Sequence, residues 1–259
     1  MSARSFTRGS RILAAAAIAL AIAACKTSED AAPPQPETTV AAATSLRNVM
    51  PALIAKYGVA GKVSATYGAS GDLRKQVEGG APIDLVLMAS RKPIDALGEK
   101  GHIDGESVRL ATNRLVLIGP AKGKPLTWKT LETIPAGEHL AIGDPGAVPA
   151  GDYAKQALQK LGSWDKLQDR IVLGGDVAGV LAYARRGEVA AAVVYKTETQ
   201  GIADIVVFEE ASDEFAPTAE VIGAVTKGGA AKSGGKAFLE FLRGAEAQKI
   251  LADAGFGPP

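Results

Sequence analysis

Residues 140–195 read LAIGDPGAVPAGDYAKQALQKLGSWDKLQDRIVLGGDVAGVLAYARRGEVAAAVVY, and short apolar runs alternate here with helical patterns. The apolar runs predict strands at 139–142, 171–173 and 189–195. Between them, apolar residues recur at three- and four-residue spacing, which predicts helices at 153–161 and 177–186. Strands that alternate with helices are typical of an α/β fold, in which parallel sheets carry helices on both faces.

The alternation continues on both sides of this stretch, from Thr38 to the end of the chain. Before it, we predict strands at 40–43, 62–67, 83–88 and 115–118, and helices at 46–57, 71–78 and 92–98. After it, we predict strands at 205–208 and 221–226, and helices at 236–242 and 246–254. In α/β sheets, ligands bind where the carboxyl ends of strands meet the starts of helices. The turns at 44–45, 69–71, 148–151 and 174–177 occupy that position and are the places to look for a site.

Length and composition are those of an ordinary globular protein. The chain has 259 residues, of which 47% are hydrophobic and 22% charged, enough for one large domain or two small ones. Without Arg4, Arg8 and Arg11 of the N-terminal segment, the charge balance is slightly acidic, so nucleic acid is not expected as a partner. A single cysteine, Cys25, excludes a disulfide within the chain.

The N-terminal segment has the features of an export signal. A basic leader precedes an apolar run at 12–24 that is too short to span a bilayer, and the run ends in IAAC at Cys25. Small residues before a lone cysteine resemble the bacterial lipobox, in which the cysteine is acylated. A soluble signal cut after Ala-x-Ala, with an incidental cysteine, is the alternative.

The expected organisation of this end of the chain is therefore a signal peptide at 1–24 and a lipidated Cys25 that begins a flexible tether at 25–37. The tether sequence KTSEDAAPPQPE is polar and rich in proline, so it cannot bury a core. Acylation would hold the protein at a membrane surface without a transmembrane helix. We expect a protein of the periplasm or cell surface, anchored as a lipoprotein.

Two of the candidate turns place a serine directly before a predicted helix. Ser45 follows the first strand and Ser70 follows the second. A serine at this position commonly caps its helix, and Asp72, Asp152 and Asp176 are expected to cap theirs. Each turn taken alone therefore indicates a cap rather than a binding site.

Together, however, the turns and their flanking sequences resemble a known family. TTVAAATSLRNVMPALIAKY at 38–57 and YGASGDLRKQVEGGAPIDLVLMAS at 67–90 are similar to the first domain of the periplasmic molybdate-binding proteins of ABC importers, the ModA family. Residues 140–195 are similar to their second domain. The resemblance extends over nearly the whole chain after Thr38, and its most specific part is the block from GDP to WD at 143–165.

The resemblance implies a type II periplasmic-binding-protein fold, with two α/β domains, mixed sheets and a ligand cleft between them. Lobe I would comprise 38–115 plus 223–259, and lobe II would comprise 116–222. The crossings near Leu115 and Ile222 would act as hinges that let the lobes close on the ligand.

The resemblance also implies which residues bind an oxyanion. Two serine hydroxyls, two main-chain amides and a tyrosine hydroxyl donate hydrogen bonds to the anion in this family. The matching positions are Ser45, Ser70, Ala150, Val177 and Tyr195. Thr44 and Gly71 depart from the small residues common in the family, since Thr44 adds a hydroxyl beside the site and Gly71 removes one.

Donors without formal charge suit molybdate or tungstate. Such a dianion carries no proton at neutral pH and can only accept hydrogen bonds, and helix N-termini add partial positive charge. Phosphate keeps a proton and would gain from an acceptor such as aspartate, which makes it the weaker candidate. Sulfate has the same charge and hydrogen-bonding character in a smaller ion, so another small oxyanion remains the alternative ligand. No cofactor is expected.

Other classes of function have less support from the residues. His102 and His139 lie in no recognisable catalytic or metal-binding pattern, and GASG at 68–71 lacks the full G-x-S-x-G motif, so neither an enzyme nor a cation-binding protein is expected. A regulatory protein of the same fold would need a helix-turn-helix and no export signal. We predict a monomeric binding protein whose partner is the membrane permease of an ABC transporter.

Overall fold

The computed structural model describes residues 37–58 and 62–259. The predicted signal peptide at 1–24, Cys25 and all of the tether before Glu37 lie outside these residues. The described residues belong to one compact unit, Pro36–Pro259. None of the helices within them is long and apolar enough to cross a membrane.

Strands and helices alternate through the described part of the chain. The strands are β1 (Thr38–Ala43), β2 (Val63–Gly68), β3 (Leu85–Met88), β4 (Val108–Asn113), β5 (Leu115–Pro120), β6 (Leu140–Gly143), β7 (Ile171–Gly174), β8 (Ala191–Tyr195), β9 (Ile205–Glu210) and β10 (Ala219–Val225). The α-helices are α1 (Met50–Tyr57), α2 (Ser70–Glu78), α3 (Arg91–Glu99), α4 (Pro149–Lys160), α5 (Trp164–Leu167), α6 (Val177–Arg185), α7 (Lys232–Arg243) and α8 (Ala245–Asp253). Four short 3₁₀ segments lie at Thr44–Leu46, Trp128–Thr133, Gln168–Arg170 and Lys196–Thr199.

The first sheet has the strand order β2-β1-β3-β10-β4. β1 pairs in parallel with β2 and β3, whereas β10 runs antiparallel to β3 and β4. Successive residues of β1 enter opposite cores, with Val40 and Ala42 in one apolar cluster and Ala41 in another. Burial on both faces of the strand explains why its residues 40–43 are all apolar.

The second sheet has the strand order β7-β6-β8-β5-β9. β6 pairs in parallel with β7 and β8, whereas β5 runs antiparallel to β8 and β9. Both sheets are therefore mixed, which confirms the two-lobed fold and corrects the wholly parallel sheets that the alternation alone predicted. The antiparallel strands β5 and β10 are the two that enter a sheet directly from the other lobe.

We refer to each sheet with its helices as a lobe. The chain described at 62–259 passes from the first lobe to the second at Arg114, between β4 and β5, and returns through 211–218, between β9 and β10. Ile222 lies inside β10 and pairs with strands on both sides, so the return crossing ends a few residues before Ile222. The division of the chain into lobes at 115 and 223 stays a prediction. Residues 219–222, which that division assigns to lobe II, belong to β10 and therefore to the first sheet.

Two local predictions differ from the structure. The helix expected at 46–57 begins at Met50, after the 3₁₀ turn. Pro51 lies in the first turn of this helix, where a backbone N–H would have no acceptor within the helix, so proline is tolerated there. β4 was not predicted, because the sequence VRLATN mixes polar and apolar residues and contains no apolar run. Helix and strand boundaries elsewhere shift by a few residues.

Candidate functional site

Residues that follow the strands of both sheets line one small cavity between the lobes. The first lobe contributes residues after β1, β2 and β3, and the second contributes residues after β6, β7 and β8. The wall residues include Thr44, Ser45, Ser70, Ala89, Val148, Pro149, Asp176, Val177 and Tyr195.

Four of the predicted site residues, Ser45, Ser70, Val177 and Tyr195, lie on this wall. The fifth, Ala150, follows the wall residue Pro149 in the sequence. It is fully buried in the first turn of α4. The structure therefore gathers five positions that are spread over 150 residues of sequence. Strand ends from two separate sheets bring them together.

Neither serine caps a helix, contrary to the interpretation of each turn taken alone. Ser45 is buried inside the 3₁₀ turn, whose N-cap is Ala43. Ser70 is the first residue of α2, whose N-cap is Ala69. The Ser70 Oγ accepts a hydrogen bond from the Ala89 N–H at 3.1 Å. Since this bond uses the oxygen and not the proton, the hydroxyl can still donate into the cavity.

The start of α4 is held against the end of β6 by two glycines. A Cβ on Gly151 would lie 1.9 Å from the carbonyl oxygen of Gly143, so only glycine permits this approach of the backbones. The close approach fixes the first turn of α4, with the amide of Ala150, beside the cavity. The amides at the start of a helix have no acceptor within it, so they are available to an anion.

Tyr195 reaches the cavity from the end of β8 and is nearly completely buried, at 1% exposed. Burial raises the pKa of its phenol well above the ordinary value, so the group stays protonated and neutral. Its hydroxyl donates to the carbonyl oxygen of Ala89 in the other lobe at 3.4 Å. A bond of that length is weak, so the hydroxyl can turn toward a better acceptor.

The three aspartates near the site behave differently from one another. Asp176 caps α6 as expected, since its Oδ1 accepts the Gly179 N–H at 2.8 Å. The predicted caps at Asp72 and Asp152 are wrong, because α2 and α4 start earlier, with Ala69 and Val148 as N-caps. Asp72 instead lies 3.0 Å from the Lys75 ammonium, and Asp152 lies 3.9 Å from that of Lys92 in the other lobe.

Glu198 is a buried acid beside the site that the sequence analysis missed. It lies in the 3₁₀ turn that follows β8, and 5% of its surface is exposed. The pKa of its carboxyl is raised to about 7, chiefly by burial and also by the charge of Asp176, against a lowering by Arg47. No motif marks Glu198, because only folding brings it near Asp176 and Arg47.

The lobes also touch at the mouth of the cleft. The Gly71 N–H donates to the carbonyl oxygen of Ala147 at 3.1 Å, and a Cβ on Gly71 would lie 2.9 Å from that oxygen. A second cavity opens there, and Arg74, Lys75 and Lys92 line it. The glycine at 71 therefore permits a closer approach of the lobes than a residue with a side chain would.

The histidines take no part in either cavity. His102 follows α3 and His139 precedes β6, and the walls of the two cavities are formed by other residues. Within 37–58 and 62–259, no cluster of His, Cys, Asp or Glu side chains could hold a metal ion.

Comparison with known proteins gives consistent matches along the chain. The family model described as bacterial extracellular solute-binding protein matches residues 38–257. YvgL of Bacillus subtilis, named as an ABC transporter substrate-binding lipoprotein, is 33% identical over 259 residues, which cover 97% of this chain and 98% of YvgL. The molybdate-binding protein ModA of Haemophilus influenzae is 36% identical over 231 residues, or 85% of this chain and 89% of ModA.

A solved structure shares both the sequence and the fold. The substrate-binding domain assigned to a molybdenum ABC transporter of Clostridium difficile is 31% identical to this chain, with a TM-score of 0.66. The match covers 86% of this chain and 99% of that domain. Both lobes are therefore included in the similarity.

Proposed function

The chain belongs to the family of bacterial extracellular solute-binding proteins, and we propose that it captures molybdate or tungstate between its lobes for an ABC importer. The anion would bind at Ser45, Ser70, Ala150, Val177 and Tyr195. The membrane permease of the importer would receive it. A relative named for molybdate binding and a structure assigned to a molybdenum transporter support this proposal.

The observation that carries the proposal is the chemistry of the cavity wall. Ser45 and Ser70 offer hydroxyls from one lobe, and Tyr195 offers a neutral phenol from the other. The starts of α4 and α6 add main-chain amides with the partial positive charge of helix N-termini. Among the described residues, no lysine or arginine lines this cavity. Such a site suits a dianion that only accepts hydrogen bonds.

Another small oxyanion, sulfate or phosphate, is the alternative ligand. Sulfate has the same charge and hydrogen-bonding character as molybdate and is smaller. A ring of donors set for the larger ion would leave stretched bonds to sulfate, and each unmade bond to a buried charged group costs roughly 1–3 kcal/mol. The preference for molybdate is therefore a matter of cavity size.

Titration calorimetry of the folded domain with molybdate, tungstate, sulfate and phosphate tests the proposed function. We expect tight binding of molybdate and tungstate, and binding of sulfate and phosphate that is weaker by at least tenfold, or about 1.4 kcal/mol. Tighter binding of sulfate or phosphate than of molybdate would assign the site to the alternative ligand.

The remaining features of the proposal concern the setting of the protein. It would act as a monomer, without catalysis, without a cofactor and without binding nucleic acid. A lipid on Cys25 would hold it at the membrane, outside the cytoplasm. The lipobox-like sequence supports the anchor, as does the description of the relative YvgL as a lipoprotein.

A further inference from the structure

A single carboxylate, that of Asp176, lies on the wall of the small cavity as far as the described residues go. A carboxylate is unexpected in a site that binds an anion through hydrogen-bond donors. An ionised carboxylate repels a dianion, and it can only accept hydrogen bonds, which a fully deprotonated ligand cannot donate. The hydrogen bonds that its two oxygens accept therefore influence which anion the site binds.

Each oxygen of Asp176 accepts one hydrogen bond. Oδ1 accepts the Gly179 N–H at 2.8 Å, as part of the N-cap of α6. Oδ2 accepts the hydroxyl of Thr44 at 3.2 Å. Thr44 belongs to the opposite lobe and is 4% exposed. The second of these bonds therefore crosses the cleft and forms only when the lobes are together.

Thr44 differs in this respect from the serines beside it. A hydroxyl has one proton, and that of Thr44 is directed at Asp176 rather than at the centre of the cavity. The Ser70 hydroxyl keeps its proton for a ligand, because only its oxygen is engaged. Thr44 thus lines the site without serving as one of its donors.

We propose that Thr44 sets the selectivity of the site between deprotonated and protonated oxyanions. By donating to Asp176 across the cleft, it uses one acceptor position of that carboxylate and weakens the same oxygen as an acceptor for the proton of hydrogen phosphate or hydrogen arsenate. The same bond partly offsets the repulsion between that carboxylate and a dianion such as molybdate. The inference rests on the proposed function, since it takes the anion to bind beside Ser45, Ser70 and Tyr195.

The test replaces Thr44 by valine, which has the same shape without the hydroxyl. Calorimetry at pH 7 compares wild type and T44V with molybdate and with phosphate. We expect T44V to bind molybdate more weakly and phosphate more tightly than wild type does. The ratio of the two dissociation constants should shift toward phosphate by about tenfold or more, the effect of one hydrogen bond to a charged group.

Two further variants keep the test decisive. T44S retains the hydroxyl and should keep the wild-type ratio, whereas T44A removes the hydroxyl without added bulk and should shift the ratio as T44V does. Equal weakening of both anions in T44V and T44A would overturn the proposal, because it would show that the bond only helps the lobes to close. Failure of the wild-type protein to bind molybdate would instead count against the proposed function.

Discussion

Ser70 is the residue whose geometry most directly supports donation to a ligand. Its oxygen accepts the Ala89 N–H at 3.1 Å, which orients the side chain and leaves the proton available. Replacing Ser70 by alanine should weaken molybdate binding by about 1–2 kcal/mol, the worth of one hydrogen bond to a charged group. Calorimetry measures the change.

The matched control for this substitution is Ser163, a buried serine of the second lobe. Its hydroxyl donates to Glu132 at 3.1 Å, and it lines neither cavity. Ser163→Ala should lower the melting temperature slightly and leave molybdate affinity unchanged. An affinity for Ser70→Ala equal to that of wild type would remove Ser70 from the site.

Glu198 should make stability depend on pH. Its pKa is raised from 4.5 to about 7 in the folded protein, so the folded state holds a proton that the unfolded chain releases. The free energy of unfolding therefore falls as pH rises from about 4.5 to 7. Glu198→Gln, which carries no charge, should be more stable than wild type by about 3 kcal/mol at pH 8 and nearly equal to it at pH 4.5.

Urea denaturation at the two pH values measures this difference. The exposed Glu106 supplies the control, since Glu106→Gln removes a solvated carboxylate and should change stability little at either pH. Equal effects of the Glu198 substitution at pH 4.5 and pH 8 would contradict a buried acid that is protonated at low pH.

At the scale of secondary structure, the start of α2 limits how closely the lobes approach. Gly71 donates to the Ala147 carbonyl, and any side chain at 71 would meet Ala147 backbone atoms at 2.9–3.0 Å. Gly71→Ala should therefore hold the lobes slightly apart and weaken molybdate binding by about 1 kcal/mol or more, because donors in both lobes must reach one ion. Calorimetry tests the loss of affinity.

Gly98 in α3 gives the contrasting control. A Cβ there meets no atom within 4 Å, so Gly98→Ala should leave affinity unchanged and stabilise the helix by about 0.5–1 kcal/mol. If Gly71→Ala bound molybdate as tightly as Gly98→Ala, the contact with Ala147 would have no part in closure.

Strands and helices with strong apolar periodicity are predictable from the sequence. Those that depend on pairing with distant segments are not. β8 reads AAVVY and is buried along its length, so its pattern alone identifies it. β4 escapes prediction because its partner β10 comes from a distant part of the chain and supplies the pairing that its own composition does not favour. The 3₁₀ turn before α1 was also not predicted. Here the start of the helix is set by Pro51, which lies in its first turn.

At the scale of the whole molecule, the two crossings define how the lobes can move. Arg114 on the first crossing makes a paired contact with Asp213 on the second, at 2.8 and 2.9 Å, so the crossings lie side by side. A hinge at this place would open the cleft and break the bonds from Thr44 to Asp176 and from Gly71 to Ala147. We propose that ligand binding shifts the protein toward the closed form.

Small-angle scattering tests this motion. Molybdate should reduce the radius of gyration of the folded domain, because the proposed site takes its donors from both lobes. Sodium chloride at the same ionic strength serves as the control and should cause no such change. A radius of gyration that stays constant at saturating molybdate would count against hinge closure.

The proposed anchor gives a prediction for the full-length precursor. Cys25→Ser removes the only thiol of the chain and with it the proposed site of acylation. The variant should move from the membrane fraction to the soluble extracytoplasmic fraction while its molybdate affinity stays that of wild type. Wild-type protein found entirely in the soluble fraction would support the unlipidated signal instead.

The sequence by itself determined the alternation of strands and helices, the export signal pattern and the loops that carry Ser45, Ser70 and Tyr195. These features follow from local hydrophobic periodicity and from motifs within a few residues of one another. The tertiary structure alone decided that the serines are not caps, that Thr44 is bonded to Asp176, and that Glu198 is buried beside them. The physical reason is separation along the chain: Thr44 and Asp176 are 132 residues apart, and their contact exists only where two lobes meet.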